Sequence, residues 1–198
     1  MPRAAVLALA LAAACAGPAG PGPAQPPSPS PAPARIRVED VPRELQPAVA
    51  RAEAAVKTLR DQISARLSAE IAAGGVTKAL AFCRRDVPAL SASISAQTGV
   101  AVGRMGVRPR PGASPPRPWI APLLEGVPAR RAAEIPAVVL DLGDRVGLLR
   151  PAAVSALCLS CHGPPERVLP EVKLAADGGP ASYGEGDLRG FFWAEAKK

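Results

Sequence analysis

Aromatic side chains are scarce in this 198-residue sequence, where Phe, Trp and Tyr together make up 3%. Four of them, Tyr183, Phe191, Phe192 and Trp193, lie near the C-terminus. A core so poor in large rings would gain apolar contact from a flat bound cofactor. Histidine occurs once, as His162. That excludes two histidines on one metal within this chain, and it leaves an enzyme short of the commonest acid–base group. Beyond the first residues, no apolar run reaches the length of a membrane span. Charge of one sign is not lacking, with 24 Lys and Arg against 17 Asp and Glu and a net +7. The surplus is mostly Arg spread along the whole chain, without a Lys-rich block or interleaved aromatics. It therefore lacks the footprint of a nucleic-acid surface, and no nucleic-acid partner is expected.

What is present begins with an export signal. Arg3 is followed by an apolar run over residues 4–14 and then by small residues. This is the pattern of a secretory signal peptide. Leu11-Ala12-Ala13-Ala14-Cys15 resembles a bacterial lipoprotein signal, with Cys15 lipidated, although Ala12 stands where Leu is usual. The competing site is cleavage after Ala16. Residues 1–15 thus read as a signal peptide and residues 16–38 as a Pro- and Ala-rich disordered tether. Residues 39–198 read as a single domain. The expected location is the periplasm, with membrane attachment only through lipid on Cys15.

In the folded part, Val49, Ala52, Val56, Leu59, Ile63, Leu67 and Ile71 recur every three or four residues. They mark one stripe of a long helix within residues 40–73. Gly74-Gly75 stops it, a second helix covers residues 76–86, and a third runs from Pro88 to Gly99. After Gly99 the period changes to two, which predicts a strand over residues 100–108. Residues 109–118 carry five prolines and read as irregular. Residues 130–134 fit a helical turn. Residues 138–142 and 145–150 flank Gly143-Asp144 as a β-hairpin, and residues 188–193 read as a last strand. Helices followed by hairpin-connected strands predict an α+β fold with an antiparallel sheet.

Cys158-Leu159-Ser160-Cys161-His162 is C-x-x-C-H, the attachment signature of c-type haem. Two thiols add to the two vinyl groups of one porphyrin, so they must sit on one short turn. The next residue, His162, then lies where its imidazole can reach the iron. One covalent haem is the cofactor expected. Rival readings are a thiol-redox pair, a Cys158–Cys161 disulfide, and a zinc site of Cys83, Cys158, Cys161 and His162. For the second axial position the residues leave Cys83, Met105, a Lys or an open site. Met105 would make a His/Met electron carrier, although in ordinary small cytochromes c the Met follows the motif. Cys83 falls on the apolar face of its helix beside Phe82, where it reads equally well as a buried thiol. Arg104, Arg108 and Arg110 alternate along the predicted strand. They could pair with the two haem propionates, or form a solvated face, and Arg189 is a similar candidate.

Further pieces extend the match beyond the haem motif. They are Ala81-Phe82-Cys83, Val102-Gly103-Arg104, Arg108 with Arg110, Trp119, Leu149-Arg150-Pro151, Cys158 to Gly163, and Gly186-Asp187-Leu188-Arg189-Gly190. Over residues 41–195 the chain resembles an exported single-haem c-type family, long catalogued as a domain of unknown function. Its members also occur as sensory domains of histidine kinases. The resemblance implies a PAS-like α+β fold and haem iron held by His and Cys, roles that fall on His162 and Cys83. The chain departs from the family at Arg110-Pro111-Gly112, where Arg-Asn-Pro is usual, and at Gly106, where Ser is common. Two strong ligands would leave no open site, which suits redox or small-gas sensing or low-potential electron transfer with a redox or signalling partner. The alternative is a five-coordinate gas-binding haem protein, for which a helical bundle is the usual frame.

Overall fold

The computed structural model describes residues 34–107, 115–125, 127, 131–168, 170, 172 and 182–198. The expected signal peptide, its Cys15, and most of the expected tether lie outside them, as do Arg108 and Arg110. The chain order is β1 (Arg35–Arg37), α1 (Gln46–Ala81), a π-helical turn (Phe82–Asp86), α2 (Val87–Thr98) and β2 (Ala101–Gly106), followed by α3 (Ala121–Leu124), β3 (Val138–Asp141), β4 (Arg145–Ala153), α4 (Leu159–His162) and β5 (Leu188–Lys197). This is the α+β arrangement expected, a long helix ahead of a five-stranded sheet, and it is consistent with a PAS-like fold. The sheet rules out the helical bundle. No described helix is long and apolar enough to cross a membrane.

Helix α1 forms because its apolar positions share one face. Ala48, Val49, Ala52, Ala55, Val56, Leu59 and Ile63 are buried. The stripe continues as Leu67 and Ile71, which are only half-buried. At Gly74 and Gly75 the backbone leaves helical geometry (φ −166° and 70°). The positive φ at Gly75 costs a glycine nothing, and the two expected helices meet there. Pro88 does not interrupt the chain, because it lies in the first turn of α2 where no intrahelical N–H is needed.

All pairings in the sheet are antiparallel, in the order β1-β3-β4-β5-β2. The hairpin β3–β4 forms at Gly143-Asp144 as expected. Strand β5 runs to Lys197, four residues past the expected end at Trp193, because β4 and β2 pair along it on both sides. Strand β1 was not expected. Arg35–Arg37 lies in the stretch read as tether, yet it pairs with β3. The folded part therefore starts before residue 39. Three residues are too few to show periodicity, and only the partner strand makes this segment a strand. In the other direction, β2 ends at Gly106, short of Arg108.

The sheet buries both faces. One carries Val102, Val139, Val146, Leu148, Ala194 and Ala196 against α1 and α2. The other carries Leu149, Leu188 and Phe191, with Met105 and Trp193 beside them, against Ile120 and Ala132. The helix-side core is aliphatic apart from Phe82 and Phe192, which accounts for the low aromatic content.

Candidate haem-attachment site

The C-x-x-C-H residues follow directly from β4. Strand β4 ends at Ala153, and Val154 anchors the exit through backbone hydrogen bonds with Asp187 and Gly186. A 3-10 turn over Ala156–Cys158 then feeds α4, so Cys158 caps the helix and Cys161 and His162 complete it. Residues three apart on a helix share a face, about 5–6 Å between Cβ atoms. Cys158 and Cys161 thus stand on one turn. Cys158, Cys161 and His162 are half-buried. Ser155 Oγ lies 3.3 Å from Cys158 Sγ. The short helix α4 rests against α1.

The imidazole is held from a distant part of the chain. The backbone N–H of Tyr183 donates to the carbonyl oxygen of His162 at 3.0 Å. The Tyr183 ring meets the His162 ring edge-on, with centroids 6.4 Å apart and planes at 83°. On the Tyr183 ring sits the guanidinium of Arg189, 5.6 Å from the centroid. Nothing in the sequence pointed to Tyr183, because twenty residues separate it from the motif. Arg189, read as a propionate partner, lies against this ring.

Cys83 stands in the π-helical turn, half-buried and packed against the core between α1 and the sheet. One extra residue per turn shifts its side chain from where an α-helix would aim it, and such turns often mark functional positions. Two residues along, Arg85 donates to Asp86 at 2.7 Å. This bond, with the attraction between the two charges, raises the Arg85 pKa and holds the Asp86 carboxyl below its ordinary value. Met105 pairs with Phe191 and packs on the sheet face turned away from α1. Arg104 is exposed on the edge strand, on the same face as its neighbours across the sheet, Phe192 and Arg150.

Cys83, Cys158 and Cys161 are free thiols in this structure. Among the described residues no three of His, Cys, Asp and Glu gather to hold a metal ion. The four-residue zinc set is therefore not assembled.

No family model matches the chain, and no curated protein matches it. The fold itself is shared with a solved structure. That structure is the cyanobacterial heme-protein Tll0287, at 20% sequence identity and a TM-score of 0.54. The likeness covers 80% of this chain and 97% of that one. At this identity it shows a common fold.

Proposed function

We propose that the chain binds one haem covalently through Cys158 and Cys161, with His162 on the iron. The observation that carries this is local. Two thiols outside any disulfide share one helical turn, and the next residue is an imidazole fixed by a second chain segment. The residues present fit the group. Each thiol can add across one vinyl C=C, forming an S–C bond while its hydrogen goes to the neighbouring carbon. No oxidant is consumed. On α1, against which α4 rests, the half-buried Leu67 and Ile71 would offer apolar surface, and the exposed Arg104 a cation. The heme-protein of like fold supports the reading in general terms.

Cys83 would be the second residue to hold the iron. Its half-burial on the helix side of the sheet supports it, together with the family resemblance, whereas Met105 faces the other side. Bound haem would supply a one-electron iron couple. A sulfur ligand favours the ferric form and so a low potential. With two side chains of this chain holding the iron, the role would be redox or small-gas sensing or low-potential electron transfer, not catalysis. The partner is a redox or signalling protein outside the cytoplasm, and the signal-like residues 1–15 with Cys15 support an exported, lipid-anchored form.

The test is expression with an export-linked haem-attachment system. The mature protein is expected to be red, to stain for covalent haem and to carry the added mass. Cys158→Ser combined with Cys161→Ser abolishes the stain. Colourless protein with the mass of bare polypeptide overturns the proposal.

A further inference from the structure

We infer that Tyr183 is a positioning residue for the His162 imidazole, and that Arg189 stacked on its ring tunes the iron couple; this rests on the haem reading above. Tyr183 is 8% exposed and comes to the motif from outside it. Its contacts with His162 are of two kinds. The backbone bond, 3.0 Å from Tyr183 N to His162 O, ties the main chain at the end of α4. The ring contact, 6.4 Å and 83°, sets a positively polarised edge against a π-face.

An imidazole bonded to a metal keeps one freedom, rotation about the metal–nitrogen axis. Partners outside the ligand set fix this orientation in metal sites. A buried ring standing edge-on to the imidazole restricts that rotation by sterics and keeps water from that side. The Arg189 guanidinium, 5.6 Å from the centroid of the same ring, adds a fixed positive charge over it. A positive charge in this neighbourhood would favour the reduced, less positive state of a bound haem, so Arg189 would raise its potential. The hydroxyl of Tyr183 has no part in either effect. The ring and the backbone amide do the work.

The experiment uses the full-length holoprotein. In ferric wild type, the Tyr183 ring protons are expected to be hyperfine-shifted in proton NMR and to show cross-peaks to the His162 ring. Absence of those cross-peaks overturns the inference without any variant. Tyr183→Phe keeps the ring and is expected to retain the wild-type electron paramagnetic resonance g-values. Tyr183→Leu removes the edge contact, and its g-values are expected to shift and broaden. Arg189→Leu is expected to lower the reduction potential while leaving the g-values in place. Wild-type g-values in Tyr183→Leu refute the positioning role, and an unchanged potential in Arg189→Leu refutes the tuning role. Wild-type protein without covalent haem would instead be the failure of the haem reading itself, which distinguishes the two.

Discussion

Arg150 on β4 grips Glu53 on α1 with both arms of its guanidinium, Nε to one carboxylate oxygen at 3.0 Å and a terminal nitrogen to the other at 2.5 Å. The pair joins helix to sheet one row beyond the aliphatic core, where Arg150 stands across from Phe192. Its side chains are 38% and 28% exposed, so water screens part of the attraction. A double-mutant cycle with Arg150→Met and Glu53→Gln is expected to give a coupling of about 1 kcal/mol in urea unfolding. A coupling near zero would show that the two-pronged contact adds nothing to stability.

The second axial position is decided by two substitutions. Cys83→Ala is expected to turn a low-spin haem into one with an open site that binds carbon monoxide readily. Met105→Leu is expected to leave the spectrum unchanged, at a stability cost below about 1.5 kcal/mol for a volume-conserving swap. The reverse pattern would assign the ligand to Met105.

Glu195 on β5 is nearly buried, its side chain 9% exposed. It accepts from Trp119 Nε1–H at 2.8 Å and lies 3.2 Å from Arg117 Nε and 3.6 Å from an Arg145 nitrogen. Arg117 also stacks on Trp193 at 4.8 Å. These contacts hold the segment around Trp119 on the sheet. Glu195→Leu leaves the indole N–H without this acceptor, and a loss of about 2 kcal/mol in stability is expected, with red-shifted tryptophan fluorescence. Unchanged fluorescence would mean that apolar packing alone holds Trp119.

Acid stability has a definite sign. Asp61, Asp86, Asp141 and Asp144 are held below their ordinary value by hydrogen bonds from Lys57, Arg85, Lys198 and Arg145 respectively. A carboxyl lowered in the folded state stabilises above its unfolded pKa, about 3.9, and the gain is lost as pH falls through the folded value. All four reach solvent, their side chains between 37% and 66% exposed, so the effect is screened by salt. The unfolding midpoint of the haem-free protein is expected to be level from about pH 5 to 8 and to fall below about pH 4, less steeply in added salt. A midpoint that rises on acidification through pH 4 would contradict these pairs.

Much of this protein is legible in local sequence. The stripe from Val49 to Ile63 is the buried face of α1, Gly74-Gly75 is its break, and Gly143-Asp144 is the turn of the β3–β4 hairpin. The two thiols and the imidazole of the C-x-x-C-H run are placed together by spacing alone. Such features depend on residues a few positions apart, so periodicity and turn chemistry encode them. Only the tertiary structure decides the rest. β1 exists because β3 offers it a ladder of hydrogen bonds. Met105 is turned from α1 by its register with Phe191, and Glu53 meets Arg150 across 97 residues. Tyr183 reaches His162 because the return to β5 carries it past α4. These contacts join segments far apart in the chain, and their geometry follows from the packing of the whole sheet and helix, which no local pattern records.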